Sequence, residues 1–262
     1  MRAGGRPSFG TPLAALLLAA LAGSTACSRA APPPSAPAAA PQRIVALTIG
    51  SVDALALLGQ LDRVVAVEAD CFVPGTEHLV RIRNDDHAGP SRALNVEAVL
   101  ALAPDLVIAK EDLRTALGGR GVPVQWVPTA NGLETIEPFV EQLGRELGIP
   151  DEARQVVDAM DAKMAAIRER VAPLPPVSVY YEAGSLGRTA GRGTVVDDMV
   201  RLAGGVNVAG DLPLANPVLT SEAVVAANPE VIVLSPWSDP PEVVAARPGW
   251  NHIAAVREGR IH

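Results

Sequence analysis

A pattern of sixteen residues occurs twice in this chain, 125 positions apart and without a gap. Residues 94–109 read LNVEAVLALAPDLVIA and residues 219–234 read LTSEAVVAANPEVIVL, with six positions identical. In each copy a capping residue (Asn95, Thr220) and a first-turn acid (Glu97, Glu222) open an apolar helical stretch. A proline (Pro104, Pro229) then ends it, because proline disfavours helical geometry in the residue before it. An acid and four apolar, largely β-branched residues follow, the composition of a strand buried inside a parallel sheet. A unit of helix, proline stop and inner strand repeated this far apart is too widely spaced for a solenoid and predicts two similar lobes.

The segments around the repeat agree. Strands are expected at residues 43–48, 63–67 and 122–127, alternating with helices at 52–58, 112–117 and 133–147, with an irregular stretch over 68–92. Residues 151–172 carry apolar side chains at Ala153, Val156, Val157, Met160, Met164, Ile167 and Val171, one stripe on a long helix. At a rise of 1.5 Å per residue that helix spans roughly 33 Å, about the width of a small domain, before Pro173 stops it. Beyond it come a strand at 177–181, a helix at 195–203 capped by Thr194, the second repeat copy, a helix at 241–246 and a final strand at 260–262. The predicted fold is α/β: two Rossmann-like lobes with parallel sheets, residues 43–150 and 173–262, joined by the linker helix 151–172. The second lobe is expected to be the shorter.

The start of the chain sets the compartment. Arg2 and Arg6 precede an apolar core at 13–21 too short to span a bilayer, so residues 1–27 are expected to form an export signal. Its end, Ser24-Thr25-Ala26-Cys27, resembles a bacterial lipobox, which implies a lipid attached to Cys27 and a membrane-anchored domain on the periplasmic or cell-surface face. Residues 28–42, rich in Pro and Ala, read as an extended tether. Cys71 is then the lone remaining thiol, so no internal disulfide holds the fold. A net charge of −7 without a basic cluster argues against nucleic acid as a partner.

Five stretches resemble a known family: the substrate-binding proteins of ABC importers for ferric siderophores, haem and cobalamin, the class whose lobes are joined by one helix. They are RIVALTIGSVDALALLGQLDRVVAV from Arg43, the first repeat copy, GTVVDDMVRLAGGVNVAG from Gly193, the second copy, and PGWNHIAAVREGRIH from Pro248. The resemblance implies a monomeric receptor with no intrinsic cofactor, which captures a metal chelate, most simply a ferric siderophore, between its lobes. It also implies that Glu97 and Glu222, both at the helix starts that line the carboxyl edges of the sheets, form ion pairs with an ABC permease dimer in the inner membrane. The reading of the residues alone is that both acids favour their helix dipoles.

Candidate ligand-binding residues come from loops after strands and from the irregular stretch. Arg92, Arg188 and Arg192 offer forked donors for an anionic ligand, and Glu182 opens the loop after the strand at 177–181. Phe72 and Trp237 offer flat apolar walls suited to a chelate or corrinoid. Tyr180 or Tyr181 could ligate haem iron if it faced the cleft, although core packing is the simpler role. Trp250 matches a packing position of the family. Gly191-Arg192-Gly193-Thr194 lacks the Gly-Lys of a phosphate loop. Alternatives remain at this point: a cobalamin or haem receptor of the same family, an exported metal-dependent enzyme using Asp85, Asp86 and His87, or a scaffold without ligand. A stiff helical connector should limit closure to a small hinge motion.

Overall fold

The computed structural model describes residues 39–83, 94–127, 132–184 and 187–262. The expected export signal, Cys27, Arg92 and the Asp85-Asp86-His87 run lie outside them, and so does the tether up to residue 38. Residues 39–262 form one compact unit.

The first part of this unit runs β1 (Ile44–Ala46), α1 (Ile49–Leu57), β2 (Val64–Glu68), β3 (Val80–Ile82), α2 (Val96–Ala101), β4 (Leu106–Lys110), α3 (Arg114–Leu117), β5 (Val124–Val127) and α4 (Ile136–Leu147). Its strands make a wholly parallel sheet in the order β3-β2-β1-β4-β5. Crossovers place helices on both faces, so each inner strand is apolar on both sides. One cluster contains Ile44, Leu55, Ile108 and Leu143; the other contains Val45, Leu47, Val99 and Val107. Strand β3 lies in the stretch read as irregular. It is an edge strand of three residues, two of them exposed, and so carries little hydrophobic pattern.

Helix α5 (Pro150–Val171) leads out of this part. Proline at its first position supplies the fixed φ that a first turn wants. Its first half packs on α4 so closely that a Cβ at Gly144 would collide with that of Ala153. Along the rest of α5, Met160, Met164, Ile167 and Val171 are half-buried, on the stripe the spacing predicted.

The second part runs β6 (Val177–Glu182), α6 (Val195–Leu202), β7 (Gly205–Asn207), α7 (Ser221–Ala227), β8 (Val231–Leu234), α8 (Pro241–Ala245) and α9 (Ala254–Arg257). The sheet order is β7-β6-β8, again parallel, and Ile261 adds a parallel bridge beside Ile232 in β8. Strand β7 was not legible in the sequence because Gly-Val-Asn reads as a turn. Asn207 holds it in place, donating through Nδ2 to Ala190 O and Asp197 Oδ1, both at 2.9 Å. One cluster, built on Tyr180, Val224, Ile232, Val244, Trp250 and Ile253, fills a single face of this sheet. The second repeat strand therefore differs from the fully buried strand expected: only Ile232 in β8 is buried, whereas four of the five residues of β4 are.

The repeat is also a repeat of backbone. Ala103 and Asn228, at equivalent positions ahead of the two prolines, both have φ of +45°, and among the described residues no other non-glycine has positive φ. Both helices are capped alike, Asn95 Oδ1 accepting from Ala98 N at 2.9 Å and Thr220 Oγ1 from Ala223 N at 3.2 Å. Among the described residues no helix is long and apolar enough to cross a membrane.

Candidate functional site

In parallel sheets the loops that follow the strands gather at one edge, and ligand crevices open there, next to the point where strand order reverses. In the second sheet that point lies between β6 and β8. The loop leaving β8 carries Trp237, and the loop leaving β2 in the first sheet carries Phe72. Their ring centroids lie 5.7 Å apart at an interplanar angle of 60°, within the range of a favourable aromatic pair. Both rings are still about half accessible, Phe72 at 57% and Trp237 at 51%. The contact brings together two loops from the carboxyl edges of the two sheets.

Each ring stands on a loop held by an arginine. On the Phe72 side, Cys71 N donates to Glu68 O at 3.1 Å and the Thr76 hydroxyl donates to Val73 O at 2.7 Å. The Arg81 guanidinium, from β3, donates to Cys71 O and Thr76 O and ties both sides of the loop. Cys71 is buried with a free thiol.

On the Trp237 side, Ser235 N and Ser238 Oγ both donate to Glu182 O, at 2.9 and 2.8 Å. Trp237 N donates to Ser235 Oγ at 3.3 Å. Behind the loop, Arg247 grips both oxygens of the Glu182 carboxylate at 2.7 Å and Asp239 Oδ2 at 2.9 Å. Tyr180 OH donates to Glu182 Oε2 at 3.3 Å, and the guanidinium lies 4.8 Å from the centre of the Trp250 ring. The charge-assisted bonds to Glu182 hold the Arg247 pKa above its already high value, and burial, aided by the adjacent carboxylate, raises that of Tyr180. A hollow of about 460 Å³ lined by Tyr180, Val218, Ser221, Asp239, Arg247 and Trp250 lies alongside.

The remaining sequence candidates separate. Glu182 is a correction: expected at the cleft surface, it is 0% exposed and fully engaged by Arg247. Because β6 alternates, the side chain of its last residue falls on the same buried face as Tyr180. Tyr180 is likewise closed off in the core, while Tyr181 on the opposite face is half-buried and its pKa is raised by burial. Arg192 is exposed but bonded to Gly210 O and Asp211. Arg188 is exposed on a short antiparallel bridge to Val218, with no side-chain partner among the described residues. Glu97 and Glu222 are exposed in the first turns of α2 and α7, helices that start at the carboxyl edges of their sheets. The Glu222 pKa is lowered, first by its own backbone amide and then by the Thr220 hydroxyl. Trp250 is buried in the core. Sequence reasoning did not single out Arg81, Asp239 or Arg247. Their partners lie in other loops or strands, and no local spacing announces such a contact. Among the described residues no group of three or more His, Cys, Asp or Glu is arranged to hold a metal ion.

Two parallel α/β sheets joined by one long helix, with an aromatic pair where loops from their carboxyl edges meet, define a two-part α/β architecture. The chain belongs to the periplasmic binding protein family, which it matches over residues 44–262. It is 30% identical over 208 residues to a cobalamin-binding protein of Halobacterium salinarum, an alignment covering 76% of this chain and 55% of that protein. The chain thus spans about half the length of that relative. It is 27% identical over 234 residues to the ABC transporter substrate-binding lipoprotein YvrC of Bacillus subtilis, covering 85% of this chain and 72% of the relative. The solved structure of the periplasmic heme-binding protein RhuT from Roseiflexus sp. RS-1 is similar with a TM-score of 0.70 at 28% identity, over 84% of this chain and 88% of that one. Each of these is named for binding or carrying a solute, none for an enzyme activity.

Proposed function

We propose that this chain is the exported solute-binding component of an ABC importer and that its solute is a corrinoid, held between Phe72 and Trp237. The observation that carries this reading is the aromatic pair itself: two half-exposed rings from opposite sheets, in contact at 5.7 Å, which on parting would offer apolar surface to a large, flat chelate. The cobalamin-binding relative supports the same solute class. A ferric siderophore, the first expectation from sequence, ranks lower here. Anionic chelates call for free cationic forks; the Arg192 charge is met by Asp211 and that of Arg247 by Glu182 and Asp239, which leaves Arg188, among the described candidates, as the one such fork. Haem ranks lower too, because Tyr180 is sealed in the core and Tyr181 is half-buried with its hydroxyl engaged by Ser235.

Delivery rests on Glu97 and Glu222, one exposed acid per sheet, as the charges that set the register of docking on an arginine-bearing permease dimer. The Glu222 carboxyl, held below its usual range, stays ionised in mildly acidic surroundings. Lipidation of Cys27 would keep the protein at the membrane, in keeping with the lipoprotein from Bacillus subtilis.

The test is calorimetric titration of the full chain with cyanocobalamin, haemin and a ferric hydroxamate siderophore. Saturable 1:1 binding of cyanocobalamin, weakened roughly 30-fold or more by Trp237→Ala as expected for a central aromatic contact, supports the reading. Binding of the siderophore alone would overturn the corrinoid, and binding of none of the three would overturn the receptor. In cells, Glu97→Ala combined with Glu222→Ala should abolish uptake while leaving affinity unchanged; unchanged uptake would remove the docking role.

A further inference from the structure

We propose that Glu182, Arg247 and Asp239 are positioning residues for the cleft: an ion-paired clamp that sets where Trp237 stands, and through it solute affinity, without touching the solute. The inference rests on the reading of Phe72 and Trp237 as walls of the solute site.

Three observations lead to it. First, the three charges come from three different segments: the end of β6, the loop after β8 and the chain just beyond α8. The bonds from Arg247 to Glu182 and Asp239 therefore fasten the far end of the Trp237 loop to the sheet. Second, the near end is fastened to the same residue through its backbone, since Glu182 O accepts from Ser235 N and Ser238 Oγ. Glu182 thus holds the loop on both sides of Trp237. Third, packing on the Trp237 ring is light. The ring is half exposed, while Arg247, set against the Trp250 ring, borders with Asp239 a hollow of about 460 Å³.

A fully buried carboxylate is a costly way to stabilise a fold, and an apolar pair of similar volume often does as well. The best-attested use of such a pair is to fix one arrangement among several. Here the arrangement fixed is that of a loop at the point where the strand order of the second sheet reverses. Arginine suits the role where lysine would not, because its fork meets both oxygens of Glu182 and reaches Asp239 with the same nitrogen.

The experiment separates position from stability and from the identity of the solute. The full chain is labelled with 5-fluorotryptophan, giving three fluorine resonances, for Trp126, Trp237 and Trp250, assigned by single Trp→Phe variants. Asp239→Asn is the mild variant, since Asp239 is partly exposed and Glu182 keeps its partner; Arg247→Lys is the stronger one. In the solute-free protein both should shift or broaden the Trp237 resonance, as Phe72→Ala should, while Trp126 stays in place. Cyanocobalamin affinity should fall about tenfold for Asp239→Asn and further for Arg247→Lys, with the thermal midpoint of Asp239→Asn near wild type. A Trp237 resonance unmoved in both variants would overturn the clamp. If the resonance moves but wild-type protein binds no cyanocobalamin, the clamp stands and the corrinoid reading fails. If the resonance moves and cyanocobalamin affinity is unchanged, the control of affinity is refuted.

Discussion

Strands β4 and β8 occupy the same place in the two copies of the repeat and are equally apolar, yet they live in different surroundings. Leu106, Val107, Ile108 and Ala109 are all buried, while in β8 only Ile232 is. The first sheet has five strands and apolar clusters on both faces; the second has three and one cluster. The loops that carry Phe72 and Trp237 follow the same division. The Phe72 loop is tied by Arg81 to neutral carbonyls, whereas the Trp237 loop is tied through Arg247 to two carboxylates, one of them fully buried. Where apolar packing is thin, charge holds the functional loop. A buried charge pair is stiff while intact and costly when broken, so the Trp237 loop should be the more sensitive to a single substitution.

That difference can be broken at its strongest point. Arg247→Met should cost about 3–5 kcal/mol of unfolding free energy in urea titrations, because it strands the Glu182 carboxylate in the core. Arg81→Met should cost only about 1 kcal/mol, since the carbonyls it leaves can turn to water. Equal losses would mean that the two clamps are alike. The packing contrast is tested at equivalent repeat positions. Ile108→Ala should cost about 3 kcal/mol, and Val233→Ala about 1 kcal/mol or less, because only the former leaves a closed cavity. The shared backbone kink should give effects of opposite sign in the two copies. Asn228→Ala should destabilise by about 1–2 kcal/mol, losing both a residue tolerant of positive φ and its acceptor bond from Ala254 N. Ala103→Asn should stabilise by up to about 1 kcal/mol by relieving the same conformation in the first copy. Thermal or urea unfolding of the two variants would expose any real difference between the kinks.

Much of this architecture was legible beforehand because its signals are local. The proline stops, the caps at Asn95 and Thr220, the stripe on α5 and the continuous apolar strands are each written within a few consecutive residues. Phe72 and Trp237 could be named as candidates because each is a large aromatic in a loop after a strand, but their meeting could not, since 165 positions separate them. Glu182 was misjudged for a related reason. A polar residue at a strand end reads as a loop residue until its partner is known, and Arg247 stands 65 residues away.

By itself, then, the sequence determined two parallel α/β units with a shared pattern, the helix between them and the family to which the chain is similar, because periodicity, capping and proline placement act over short range. Only the tertiary structure decided that the two repeat strands are buried to different depths, that Glu182 faces inward onto Arg247, and that the Phe72 and Trp237 rings meet. Those outcomes depend on which segments the crossovers bring to one sheet edge, and no stretch of neighbouring residues encodes that.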